Sequence, residues 1–163
     1  MSGFIYRLRV LLEHKEQAKK EAERQLSKEE EQLQAQLKVL ESLRSQEQEL
    51  RYRREHARRE LLIAPQDQTL TVQEVQQRSG YVKELGYQVQ QARKEVLSQQ
   101  IVIEESEMSV ELAKERLKQA RREVEILVKH RSKQEERFLR DEQAKEELAL
   151  DEVGNVLYTT RRQ

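Results

Sequence analysis

The chain has 163 residues, of which 38% are charged and 4% aromatic, with a single proline and no cysteine. These proportions exclude a disulfide framework and a thiolate zinc site, and they leave too few bulky apolar side chains for a globular core. The 31 basic and 31 acidic residues cancel, which disfavours a dedicated nucleic-acid-binding protein because neutralising phosphates normally needs a basic excess.

The N-terminal segment contains several apolar residues, but Arg7 and Arg9 interrupt it and Glu13 follows soon after. Neither a signal peptide nor a membrane span fits this pattern. We therefore expect a cytoplasmic protein.

Helix one is predicted over about residues 3–63, because Pro65 removes a backbone donor and disfavours helix in the residue before it. Its apolar stripe includes Leu26, Leu33 and Leu40, which are seven residues apart. Nearer the N-terminus the stripe follows another phase, through Leu8, Leu11, Ala18 and Ala22. The change of phase predicts a four-residue stutter, which would locally unwind a supercoil.

A turn is predicted over residues 64–70, followed by helix two over about residues 71–153. Thr71 and Glu74 have the spacing of a capping box, in which each side chain satisfies a backbone N–H of the other residue. Gly154 suits a left-handed C-cap, so residues 154–163 are predicted to be a short tail.

Helix two carries a regular heptad pattern. The first seam position reads Val75, Val82, Val89, Val96, Ile103, Val110, Leu117 and Val124. The companion position reads Arg78, Leu85, Ala92, Gln99, Ser106, Ala113, Ala120 and Leu127. Apolar residues sustained through so many heptads indicate a coiled coil rather than a disordered chain.

Folding the chain about residue 66 makes facing residue numbers sum to about 132, so that Val89 faces Leu43. In the alternate layers small residues then face large ones, as Ala92 does Leu40. We predict a single all-α domain, a long antiparallel two-helix coiled-coil hairpin that is monomeric. An intermolecular dimer could use the same stripes, so that alternative stays open.

Helix two is expected to be longer than helix one and to extend past it at its C-terminal end, and its apolar seam ends near residue 129. The C-terminal helical overhang still contains Phe138, Leu139 and Leu157. A helix with apolar residues and no partner in its own chain frays, self-associates or binds another protein. We expect the last of these.

Catalytic chemistry is not apparent. His14, His56 and His130 are far apart and have no companion ligands at metal spacing, so they are interpreted as surface residues and no metal or cofactor is expected. A coiled coil also lacks the concave pocket that catalysis needs, so we expect no enzyme. Tyr52, Tyr81 and Tyr87, near the turn, are either interface anchors or residues packed along the seam edge.

Two stretches resemble a known family. The first, YRLRVLLEHKEQAKKEA at 6–22, resembles the opening helix of the FliJ/YscO family of flagellar and injectisome export. The second, QEERFLRDEQAKEELALDEVGNVL at 134–157, resembles the injectisome branch, including an Asp-Glu-hydrophobic-Gly step that ends at Gly154.

The resemblance implies a central-stalk component of a type III secretion export apparatus, at the cytoplasmic face of the inner membrane. It implies insertion of the open end into the hexameric export ATPase and a link to the export-gate membrane protein and to secretion chaperones. The expected ATPase contacts are Arg7, Arg9, Arg137, Phe138, Leu139 and Arg140. The expected gate or chaperone contacts are Arg51, Tyr52, Tyr81 and Tyr87.

Two other functions remain as alternatives. The first is a homodimeric coiled-coil scaffold or spacer unrelated to secretion, which light scattering would distinguish from a monomer. The second is a nucleic-acid-associated coiled coil, which the neutral charge disfavours.

Overall fold

A computed structural model describes residues 4–61, 63–64 and 69–160, with side chains through residue 155. The described chain forms two helices, α1 (Arg9–Glu60) and α2 (Val72–Thr160), and contains no strand. Neither helix has, in its described residues, an apolar stretch long enough to cross a membrane.

The contacts divide the chain into two compact units, and both helices contribute to each. One unit comprises the described residues up to Gln25 together with those from Lys114 onward, and the other comprises Leu26–Ala113. Within each unit the two helices pack against each other in antiparallel order: early α1 residues contact late α2 residues. The predicted all-α hairpin of two long helices is confirmed.

The α2 seam follows the predicted heptads. Every position of both predicted rows is buried or half-buried. In the unit Leu26–Ala113, Leu40 of α1 forms a buried cluster with Val96 and Ile103, and Leu33 and Leu43 pack against it. Burial of this apolar stripe is what makes two helices of such polar composition associate.

The α1 seam differs from the prediction, because its heptad is unbroken and the stutter is wrong. Leu11 and Ala18 are exposed, whereas Leu12 is buried and Lys19 is half-buried. The first row of the seam continues at intervals of seven through Leu12, Lys19, Leu26, Leu33, Leu40, Glu47, Arg54 and Leu61. Long polar side chains keep this phase because their aliphatic stems cover apolar surface while their charged ends reach solvent.

Two polar pairs cross between the helices along the seam. In the first unit, Nζ of Lys15 lies 2.8 Å from a carboxylate oxygen of Glu123, and this hydrogen bond, followed by one from Gln119, lowers the pKa of Glu123. In the second unit, the amide of Gln99 donates to the side-chain oxygen of Gln36 over 2.6 Å. A polar pair inside an apolar seam disfavours other registers, because a slip would leave both amides unpaired.

The observed register differs by about one helical turn from the predicted rule that facing residue numbers sum to about 132. That rule sets Gln36 opposite Val96, whereas Gln36 is bonded to Gln99. Side chains lean toward the N-terminus of their own helix, which is away from the turn on α1 and toward it on α2. An α1 side chain therefore contacts the side chain of an α2 residue that lies closer to the C-terminus of α2 than the residue whose Cα is directly opposite.

The start of α2 has the predicted capping box. The backbone N–H of Thr71 donates to the Glu74 carboxylate over 2.8 Å, and the N–H of Glu74 donates to the Thr71 hydroxyl over 3.3 Å. The first of these bonds is the main reason that the pKa of Glu74 is lowered. Nearby, Arg78 donates to the carbonyl oxygens of Glu60 and Ile63, both over 2.9 Å, and so satisfies the C-terminal end of α1.

The helix ends depart from the prediction in three places. α1 begins at Arg9 rather than near residue 3, because the segment before it packs on α2 as described below. It ends at Glu60 rather than 63, where bonds from Leu61 to Arg58 and from Ile63 to Glu60 tighten the last turn. α2 continues to Thr160, so Gly154 is helical and the predicted left-handed cap is wrong. Pro65 lies outside the described residues.

Candidate protein-binding sites

Residues 4–8 precede α1 and form an N-terminal strap on α2, within the first unit. Tyr6 is buried, and its hydroxyl lies 3.2 Å from the main-chain oxygen of Leu127 and 2.9 Å from Nδ1 of His130. A phenol has one hydrogen, so donation to Leu127 leaves the oxygen to accept the Nδ1–H of His130. The rings of Tyr6 and His130 also approach to 5.7 Å between centroids. His130 is exposed, as predicted, and it is also a partner of the strap.

The strap extends the internal pairing of α2 beyond the predicted start of the overhang. The ring of Phe4 lies 5.8 Å from that of Phe138, at an interplanar angle of 48°. A non-helical segment covers about 3.3 Å per residue against about 1.5 Å in a helix, so a few residues reach this far. The prediction that Phe138 has no partner in the chain is wrong, since Phe138 is half-buried.

The arginines predicted to contact an ATPase are all exposed, around the strap and on α2. Arg9 bonds to Glu13 over 2.7 Å, which raises the pKa of Arg9, and it lines a surface pocket together with Tyr6 and Arg131. Arg140 lies 3.8 Å from Glu136 on its own helix. Such exposed pairs stabilise the fold little, so these side chains can exchange their partners for those of another protein.

Leu139 differs from its neighbour Phe138, since it is exposed and about 100° away around α2. Leu150 and Val153 are also exposed, and they fall within about 60° of one face together with Leu139. We name Leu139, Leu150 and Val153 the C-terminal stripe. The side chains of Val156 and Leu157, which the sequence places in the same arm, lie outside the described ones. The structure thus separates Phe138, which packs internally, from the C-terminal stripe, which faces solvent.

The residues predicted to contact the export gate lie in the second unit, on both helices. Tyr52, Tyr81 and Tyr87 are exposed, and no ring contact joins them within the described chain. Tyr52 lies beside His56, at 6.3 Å between ring centroids, and Arg51 bonds to Glu47 over 2.5 Å.

Tyr81 and Tyr87 do not share a face of α2. Six residues separate them, which places them about 120° apart around the helix. Tyr81 lines a surface pocket with Ala57, Ile63 and Arg78, at the carboxyl end of α1. Their exposure supports the interpretation of these tyrosines as interface anchors over packing along the seam edge, although they cannot act as one compact cluster.

The sequence interpretation missed the structural role of Tyr6. The signal was present in Phe4 and Tyr6, two aromatic residues with the spacing that places side chains on one side of an extended segment. Because these residues directly precede the heptad pattern, the segment is predicted as part of the helix and its extended conformation is not recognised. Within the described residues no group of His, Asp or Glu side chains could hold a metal ion.

Comparison with known proteins places this fold in a family. No curated protein matches the sequence. A solved structure from Chlamydia trachomatis, described as that of a YscO homolog, superposes with a TM-score of 0.82 over 99% of both chains at 22% sequence identity, which supports the fold. The YscO-like family matches residues 4–163. The chain therefore belongs to the YscO-like family of type III secretion proteins.

Proposed function

We propose that this protein is a non-enzymatic central-stalk component of a type III secretion export apparatus. It binds the hexameric export ATPase through its terminal end and links it to the export gate and to secretion chaperones at the cytoplasmic face of the inner membrane. Family membership supports the secretion role. The observation that carries the ATPase contact is the C-terminal stripe, three exposed apolar side chains on one helix face.

The strap and the C-terminal stripe have different roles at the terminal end of the protein: the strap positions α2 and the stripe contacts the partner. Phe4 and Tyr6 hold α2 against the start of the chain, which positions the helix that carries the stripe. Leu139, Leu150 and Val153 then supply the apolar contact area, since exposed apolar side chains gain most when a partner removes them from water. The exposed Arg7, Arg9, Arg137 and Arg140 supply charges that bind carboxylates of the partner. Phe138 contributes through the strap rather than by direct contact.

The double substitution Leu139→Asp and Leu150→Asp tests this assignment. We expect binding to the export ATPase to fall by at least about tenfold, because two apolar anchors would become charged groups in a desolvated interface. Co-purification of the two proteins and stimulation of ATP turnover measure the effect.

Leu148→Asp is the matched control, since Leu148 is equally exposed but about 180° from Leu139 around α2. It should bind the ATPase as the wild type does. Undiminished binding by the double variant, or an equal loss in the control, would contradict the role of the C-terminal stripe.

The link to the export gate is proposed for the exposed tyrosines and Arg51. Tyrosine provides a large contact area and a polar group at low cost in conformational entropy. We expect Tyr52→Ala and Tyr87→Ala each to weaken binding to the cytoplasmic domain of the gate by about tenfold, measured by titration calorimetry. Because both side chains are exposed, thermal stability should be unchanged. If both variants bind the gate with wild-type affinity, the gate contact lies elsewhere.

The homodimeric scaffold gains no support from the structure. The heptad rows that such a dimer would use are buried between α1 and α2 of one chain. We therefore propose a monomer that acts by binding other proteins.

A further inference from the structure

A second apolar row runs along α2, away from the buried seam and within the unit Leu26–Ala113. It consists of Leu97, Ile101, Met108 and Leu112, which we name the outer row. These side chains are 53%, 58%, 73% and 55% exposed. Four large apolar residues left in solvent within four or five helical turns form a contiguous patch, and such patches mark interaction sites.

The outer row is straight and narrow. At about 100° per residue its four members fall within a sector of about 60°, on the side of α2 opposite the buried Val96, Ile103 and Val110. Leu97 and Ile101 form one pair and Met108 and Leu112 form another, and eleven residues, close to three full turns, relate the two pairs. The row is about 23 Å long, which matches one face of a partner helix of about 16 residues.

The charged residues within the stretch of α2 that contains the outer row are all acidic. Residues 95–113 include five glutamates and no lysine, arginine or histidine. Glu104, Glu105 and Glu107 are exposed, and none of these three forms an ion pair with another described residue. Acidic and basic residues are interspersed in the following segment, as between Glu115 and Glu125. The longest stretch of α2 without a positive charge therefore coincides with the exposed apolar row.

We propose that the outer row is a docking surface for a basic amphipathic helix of a partner protein. The apolar face of that helix packs on Leu97, Ile101, Met108 and Leu112, and its lysine or arginine residues face the flanking glutamates, as in the charged edges of coiled coils. A second copy of this chain is a poor occupant, because its outer row would bring glutamates against glutamates. An anionic membrane surface is disfavoured for the same reason.

Three synthetic helical peptides provide the test with the full-length chain. The first carries leucine pairs eleven residues apart with lysine on both flanks, the second has glutamate in place of lysine, and the third has the composition of the first in scrambled order. We expect the first peptide to bind at least about tenfold more tightly than either of the others in fluorescence anisotropy, with an affinity that falls as salt rises.

Variants then assign the binding to the outer row. Ile101→Asp with Met108→Asp should weaken the basic peptide by at least about tenfold, and Glu104→Lys with Glu107→Lys should reduce both the affinity and its salt dependence. Val72→Asp, at an exposed apolar residue outside the row, should bind as the wild type does. Circular dichroism checks that the helices are retained, and the charge variants leave all apolar packing in place.

Three results would overturn the proposal. One is equal binding of the basic, acidic and scrambled peptides. Another is wild-type affinity in both sets of outer-row variants. The third is concentration-dependent dimerisation, detected by light scattering, that Ile101→Asp with Met108→Asp abolishes, since the occupant would then be a second copy. None of these measurements involves the export ATPase or the gate, so they are independent of the proposed stalk function.

Discussion

Replacing Leu40 with Ala is expected to lower the free energy of unfolding by about 2 to 4 kcal/mol. Leu40 is 7% exposed and belongs to the buried cluster with Val96 and Ile103. The substitution loses the transfer free energy of the removed methyl groups and leaves a cavity, and two paired helices have few other side chains that could fill it. Urea unfolding followed by far-UV circular dichroism measures the change.

The adjacent Val39 provides the control for this variant. Val39 is 45% exposed, so Val39→Ala removes a similar amount of side chain at the same level of α1 without opening a buried cavity. We expect it to change the free energy of unfolding by less than about 1 kcal/mol. If Leu40→Ala costs no more than Val39→Ala, the packing of the Leu40 cluster does not determine the stability of the helix pair.

The second large effect is expected at Tyr6. Replacing Tyr6 with Ala should destabilise the attachment of the strap by about 2 to 4 kcal/mol, since a buried ring that packs on His130 is removed together with its hydrogen bonds. Phe4 should then detach from Phe138, leaving α2 uncovered from Leu127 onward. Hydrogen exchange followed by mass spectrometry should show faster exchange in α2 around residues 127–138, with residues 85–113 unchanged.

Tyr6→Phe separates the contribution of the ring from that of the hydroxyl. The ring packing persists in this variant, and only the bonds to Leu127 and His130 are lost, so we expect a cost of about 1 kcal/mol. Exchange around residues 127–138 should fall between that of the wild type and that of Tyr6→Ala. If Tyr6→Ala leaves this exchange at the wild-type level, the strap does not stabilise this part of α2.

The strap also determines which residues should be changed to test the proposed ATPase contact. Phe138 packs on the strap, so a change at Phe138 would alter both the internal contact and any contact with a partner. Leu139 and Leu150 touch solvent instead, and for that reason they give the cleaner test of binding.

Much of the fold follows from local features of the sequence that tertiary packing does not overrule. The valine and leucine heptads of α2 predict which of its faces is buried, because any long helix with such a stripe must remove it from water. Thr71 and Glu74 predict the start of α2 because the capping box involves only neighbouring backbone groups. The sequence placed the candidate contact residues on the first or the second helix but could not orient them, and it assigned Arg7 to a helix that begins only at Arg9.

Other features needed the tertiary structure. On α1, apolar content alone suggested that Leu11 and Ala18 lie on the seam, but Leu12 and Lys19 lie there instead, because the facing helix selects the phase. The segment before Arg9 leaves the helix because burying Tyr6 on α2 outweighs further helical hydrogen bonds. The same packing separates Phe138 from Leu139, which no local pattern distinguishes.

The amino-acid sequence by itself determined that this protein is a pair of long helices, since period, caps and composition act over a few residues. Only the tertiary structure decided which side chains pair across the helices and which remain in solvent. Those choices depend on the lean of side chains toward each helix N-terminus and on contacts between residues more than 100 positions apart, such as Tyr6 and His130.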